Sequence, residues 1–195
     1  MPYTRREFAK FALAAVPAAG LLTSLNPLRA AQPPAASRPK PNSKVNGVQI
    51  GLNVPYSFGN PAMNADDVMA NCLELGVGAL ELRTQPVEAA LGAPVVLVRP
   101  RGAPVDRAAA EAEAETLQKW RLGLSVDSMR AFRKKYEDAG LLIEILKVDG
   151  LLTMKEDTLD YVFTLAKALG SRALSTEINN NEDNLKRVGK FADKH

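Results

Sequence analysis

Three carboxylates in this 195-residue chain stand where a repeated strand-and-helix protein would present them to a ligand. Glu81 interrupts the apolar run from Ala79 to Arg83, Asp149 lies near the C-terminal end of the run from Leu141 to Val148, and Glu177 near that of the run from Ala173 to Ile178. In β/α proteins the segments that follow the strands build the ligand face. Tyr56, in the loop after the first expected strand, and Asn179, just past the last, join the carboxylates as candidate substrate-binding residues. Phe58 shares the loop of Tyr56, and either contacts a ligand or packs over the sheet. A carboxylate in a mostly apolar strand needs a partner, so Glu81 reads equally as a ligand contact and as half of a salt bridge. Individual catalytic residues are not assigned.

Other chemistries find no support. The only histidine is the last residue, His195, and the only cysteine, Cys72, sits in a helical apolar register as a small buried hydrophobe. No His, Cys and carboxylate cluster has metal-ligand spacing, no glycine-rich loop cradles phosphate, and no nucleophile is followed by a histidine base. Arg99, Arg101 and Arg107 could meet a phosphate, although a solvated basic loop is the plainer reading.

The elements that would position these residues repeat. Val68, Met69, Cys72 and Leu73 recur at helical spacing, and Gly76 follows where a left-handed cap needs a residue without a side chain. The same helix, glycine, strand order returns around Gly140 and Gly170, spacings of 64 and 30 residues. Parallel strands need crossover helices, so the expected fold class is α/β, built from repeated β/α units. Strands are expected over 48–54, 79–83, 141–148 and 173–178. Helices are expected over 65–75, capped by Asn64 or Asp66, from Ser125 or Asp127 to Gly140, from about Thr153 to Gly170, and over 182–194. Residues 86–124 are too long for an ordinary connection and read as an insertion on the ligand face, carrying a helix from about Asp106 to Arg121.

The first 31 residues read as an address. Arg5, Arg6, Phe8 and Lys10 form a twin-arginine pattern ahead of an apolar run from Phe11 to Leu25, a bacterial Tat-type export signal. The run is too short for a membrane span. The expected localisation is periplasmic or otherwise extracytoplasmic, with the Tat machinery as a partner. Residues 32–44 are rich in proline, serine and alanine and suit an extended linker, which leaves 45–195 as the working domain. Of the 25 basic and 22 acidic residues, seven basic and one acidic lie at or before Lys44, leaving 18 basic against 21 acidic and a net charge of −3. The basic pI belongs to the leader, and a nucleic-acid partner loses its electrostatic basis.

The phrases VNGVQIGLNVPYSF, CLELGVGALEL, KWRLGLSVDSMRAFRKKYEDAGL and AKALGSRALSTEI with LKRVGKFADKH resemble the sugar phosphate isomerase/epimerase family, the xylose-isomerase-like TIM barrels. The resemblance implies a (β/α)₈ barrel that binds a divalent metal, manganese or a similar ion, and interconverts or epimerises a sugar or sugar phosphate. It further implies that Tyr56, Glu81, Asp149, Glu177 and Asn179 belong to the substrate-facing half of the site. The family's metal ligands, two glutamates, an aspartate and a histidine, come from later strands. A full barrel has eight strands and about 250 residues, and four strands are expected here. The expectation is therefore the N-terminal half of a barrel, either part of a longer product or a half-barrel that pairs as a homo-oligomer. The competing expectation is an exported carbohydrate-binding or structural barrel without catalysis. An endonuclease on the same barrel is opposed by the acidic domain and the export signal.

Overall fold

The computed structural model describes residues 39–195 except 100, 101, 105, 179 and 180. The twin-arginine segment with Arg5, Arg6, Phe8 and Lys10, and the candidates Arg101 and Asn179, lie outside the described residues. Among the described residues no helix is long and apolar enough to cross a membrane.

The chain returns from helix to strand three times in the same way. Gly76, Gly140 and Gly170 have φ of +69°, +89° and +77°. Each donates its N–H to a carbonyl three residues back, Leu73, Glu137 and Lys167, while the following residue donates to Cys72, Tyr136 and Ala166. This paired arrangement is the Schellman motif, and it terminates helices α1 (Ala65–Leu75), α4 (Val126–Ala139) and α5 (Glu156–Leu169). At the other ends, Asn64 accepts from the Asp67 N–H at 2.8 Å and Ser125 from Asp127 at 3.2 Å, so α1 and α4 begin on side-chain caps.

The strands between these helices form one parallel sheet in chain order: β3 (Gly51–Val54), β4 (Ala79–Arg83), β5 (Leu142–Lys147) and β6 (Ala173–Ser175). Crossovers between parallel strands are right-handed almost without exception, so a sheet in sequential order carries its crossover helices on one face. Leu80, Leu82, Ile143 and Leu146 point to that face and pack with Val68, Cys72, Phe132, Tyr136, Leu159, Val162 and Leu165 in the core. The α/β architecture with parallel strands is thus established.

One irregularity decides what the other face carries. Leu80 pairs with Ile143 but Glu81 pairs with Ile145, leaving Glu144 as an extra residue. A bulge of this kind re-aims the residues that follow it. Here it sets Lys147 beside Arg83, and Ser175 beside Lys147, on one side of the sheet. In an unbroken register Leu146 would have stood next to Arg83.

Four sequence expectations change. The run 48–54 is not one strand: β1 (Lys44–Val45) and β2 (Val48–Gln49) form an antiparallel hairpin before β3 begins. Asn46 and Gly47 turn it with φ of 50° and 81°, as the two central residues of a type I′ turn require. The expected linker also ends early, because the compact unit runs from Pro39 to His195. Its first residues cross the N-terminal ends of the strands, where the Ser43 hydroxyl accepts the Gly78 N–H at 2.9 Å. The connection expected from Pro86 instead begins as a helix, α2 (Thr84–Ala90), directly after β4, with Pro86 in its first turn where no N–H is needed. Helix α3 (Arg107–Gly123) packs on α5. Finally, β6 stops at Ser175, and the chain re-enters a helix at α6 (Glu182–Lys194). Arg187 of α6 donates to the carbonyls of Met154 and Leu152 at 2.7 and 2.9 Å, tying it to the segment after β5.

Two predictions follow from packing. A Cβ on Gly76 meets nothing within 4 Å, whereas one on Gly140 lies 2.8 Å from Lys40 Cβ and 3.0 Å from Pro41 Cδ. Gly76→Ala should therefore cost only the left-handed backbone penalty, about 1–2 kcal/mol. Gly140→Ala should cost at least about 1 kcal/mol more, since overpacking adds roughly 1–3 kcal/mol; urea denaturation of both variants measures the difference. Cys72 is fully buried, and burial pushes its thiol up to about 11. It should stay inert to a thiol-disulfide reagent at pH 8 in the folded protein and react stoichiometrically once unfolded, which a time course with and without urea will show.

Candidate functional site

Alternation along each strand collects polar residues at one end of the sheet. Arg83, Lys147 and Ser175 are the last residues of β4, β5 and β6 and neighbour one another in register. Two residues further on, past the strand ends, come Gln85 in the first turn of α2, Asp149 and Glu177. After β3 the chain enters a 3₁₀ turn, Tyr56–Phe58, which brings Tyr56 to the same end.

These groups form one connected row. Arg83 Nη1 donates to both Asp149 oxygens at 2.6 Å, and Gln85 Nε2 donates to Asp149 Oδ2 at 2.8 Å. Lys147 Nζ stands 2.7 Å from Glu177 Oε1 and 3.9 Å from Asp149 Oδ1. The Arg83 guanidinium lies over the Tyr56 ring, 3.8 Å from its centroid, a cation–π contact. One layer deeper, Glu81 accepts a hydrogen bond from the Ser175 hydroxyl across the intervening strand.

The two cations are the buried members, with side chains 11% and 9% exposed for Arg83 and Lys147, whereas Glu177 is 63% exposed. Two positive and two negative groups cancel, so the row is electrically closed. The hydrogen bond from Lys147 holds the Glu177 carboxyl below the ordinary glutamate value. Four buried polar atoms toward this end have no hydrogen-bond partner: Asn53 Oδ1, Arg83 Nε, Gln85 Oε1 and Thr176 Oγ1. Buried polar atoms are nearly always satisfied, and these four comprise one donor, two acceptors and a hydroxyl that can do either.

Of the sequence candidates, Tyr56, Asp149 and Glu177 meet in this row, and Glu81 lies beneath it bound to Ser175. Arg83, Gln85, Lys147, Asn53 and Ser175 were not among the candidates. A signal existed for Arg83, which follows Glu81 at the two-residue spacing that keeps strand side chains on one face, whereas Gln85 lies in α2, outside that alternation. Of the basic residues weighed for phosphate, Arg99 pairs with Glu113 and Arg107 with Glu111.

A second polar cluster lies behind the row. Glu88 of α2 is fully buried and accepts from Arg121 Nε and Nη2 of α3 at 2.7 and 2.9 Å and from the Tyr161 hydroxyl of α5 at 3.1 Å. Burial, reinforced by the Glu88 charge, pushes the Tyr161 hydroxyl upward. Glu88 stands one helical turn beyond Gln85, so the cluster fixes the helix that holds Gln85 against Asp149.

The divalent metal implied by the sequence resemblance finds no set of ligands here. No group of three His, Cys, Asp or Glu among the described residues could hold an ion. Asp149 and Glu177 turn their oxygens to Arg83 and Lys147. A donor set already engaged by two fixed cations does not fit a dication.

No protein-family model matches the chain, and no curated protein or solved structure matches it either.

Proposed function

We propose that this protein is an exported isomerase or epimerase acting on a sugar or sugar phosphate, and that its four β/α units are of the (β/α)₈ barrel type resembling the xylose-isomerase-like family. The observation that carries the reading is the row of cations and carboxylates at the C-terminal end of the sheet, with Asp149 and Glu177 partly open to solvent. A polyhydroxylated ligand both donates and accepts, and so suits a row in which Arg83 and Lys147 stand beside Asp149 and Glu177. Sequential parallel strands and the ligand face of barrels at the strand C-termini support it further.

In this reading Tyr56 and Gln85 bind and orient the sugar. Arg83 and Lys147 donate to hydroxyl or carbonyl oxygens, and the carboxylates of Asp149 and Glu177 accept hydrogen bonds from hydroxyls. Glu177 is the more exposed carboxylate and is kept ionised by Lys147, which suits it to accept hydrogen bonds from sugar hydroxyls, while the same pairing weakens it as a base.

Incubating the purified full-length chain with ¹³C-labelled aldoses and ketoses, with and without manganese, tests this by NMR. Interconversion supports the assignment; no interconversion and no binding of any sugar would sink it. A second reading, an exported carbohydrate-binding protein without catalysis, is favoured by one observation: Asp149 and Glu177 are both already ion-paired. Binding without turnover under every condition would select it.

A further inference from the structure

The turn that joins β1 to β2 is the chain's only Asn-Gly pair, Asn46 and Gly47. Among the described residues Asn46 is also the one residue other than glycine with a positive φ, 50°. Both turn residues are exposed. Neither the Asn46 side-chain amide nor the Gly47 N–H has a hydrogen-bond partner among the described residues.

A free carboxamide next to a peptide nitrogen that no side chain shields can react with it. The Gly47 nitrogen bonds to Asn46 Cγ, the bond from Cγ to the amide nitrogen breaks, and ammonia leaves with the proton that Gly47 gives up. Water then opens the resulting succinimide at either carbonyl, to aspartate or to isoaspartate. Water is the only co-reactant, and no redox step is involved.

Turn geometry governs the rate. The first central residue of a type I′ turn has ψ of about +30°, which sets the Gly47 nitrogen almost trans to the Asn46 Cβ. No five-membered ring closes from there, so the hairpin must open first. Little holds it shut. Lys44 pairs with Gln49 and Val45 with Val48, both valines are exposed, and the Ser43 hydroxyl donates to the Ile50 carbonyl at 2.6 Å and accepts from Gln49 Nε2 at 2.7 Å. Two-stranded hairpins are marginally stable by themselves, and segments with few buried contacts open locally.

We propose that Asn46 is a site of spontaneous deamidation, reached by opening of the β1–β2 hairpin, and that its isoaspartate form resets the entry to β4. Isoaspartate routes the main chain through Cβ, which lengthens a two-residue turn and takes Val45 and Val48 out of register. Ser43 transmits the change, because the same hydroxyl accepts the Gly78 N–H at 2.9 Å just ahead of β4. The inference is independent of the sugar reading.

Peptide mapping by mass spectrometry of the full-length protein, aged at pH 8 with and without urea, tests this. In the folded protein Asn46 should gain about 1 Da as nitrogen is exchanged for oxygen, with Asn42, whose neighbour Ser43 carries a side chain, lagging behind. Ser43→Ala should speed the folded-state conversion about five-fold, the shift in opening that one lost hydrogen bond produces, and leave the rate in urea unchanged. Gln49→Ala loosens the same network and gives a second reading of that rate. Conversion of Asn46 in urea but not in the folded protein, or folded-state rates unchanged in both variants, would overturn the proposal. In the converted protein the Gly78 amide resonance should move; an unmoved resonance would overturn the link to β4.

Discussion

Glu88→Ala is expected to lower the stability of the full-length protein by about 3–5 kcal/mol, the usual result of removing one member of a buried ion pair. The side chain of Glu88 is 1% exposed, and that of Arg121 16%. Without the carboxylate, the guanidinium and the Tyr161 hydroxyl lose their acceptor inside the packing of α2, α3 and α5. Folded domains have only about 5–15 kcal/mol in hand, so a large fraction of the margin goes with one side chain. Glu88→Gln should be milder, since an amide oxygen still accepts a hydrogen bond. The double change Glu88→Leu with Arg121→Leu should recover most of the loss, because no charge is then stranded. Urea denaturation of the three variants checks this order; a loss below about 1 kcal/mol for Glu88→Ala would mean that the cluster opens to water.

Lys147→Met is expected to do the reverse: little to stability, much to binding. Asp149 keeps Arg83 and Gln85, and Glu177 is exposed enough to turn to water, so no charge is trapped. The stability change should stay within about 1 kcal/mol. A hydrogen bond from a charged donor to a ligand contributes about 1.5–3 kcal/mol, so sugar affinity should fall roughly 10- to 150-fold. The acid limb of stability should change as well. Because Lys147 depresses the Glu177 carboxyl in the folded state, the pair's contribution is present above the unfolded glutamate value and is lost as pH falls through the lower folded value. Lys147→Met removes that dependence, so its acid unfolding should be shallower; calorimetry at a series of pH values, beside sugar titrations at neutral pH, measures both effects.

What could be read from sequence was whatever is decided locally. The left-handed caps at Gly76, Gly140 and Gly170 need only a residue without Cβ after an amphipathic run, and helix α1 is bounded by Asn64 and Gly76 as its residues require. The strand-end position of Asp149 and Glu177 follows from the same grammar. The hairpin at Asn46 and Gly47 was equally local, but the alternating residues on either side resemble one continuous strand. Long-range features were hidden for a physical reason. The bulge at Glu144 depends on how β4 and β5 slide against each other, and nothing within β5 marks it. Glu88 meets Arg121 over 33 residues and Glu81 meets Ser175 over 94, pairings that only the packed sheet and helices define. The partners of the candidate carboxylates were missed for that reason, although the spacing of Arg83 from Glu81 along β4 was visible in the chain.

The most direct measurement is amide-resolved NMR of the isotopically labelled full-length protein, titrated with a panel of aldoses and ketoses. The account predicts saturable shift changes at Tyr56, Arg83, Gln85, Lys147 and Glu177, at the C-terminal end of the sheet, which weaken in Lys147→Met. Shift changes confined to the outer faces of α4 and α5, or none with any sugar, would contradict it.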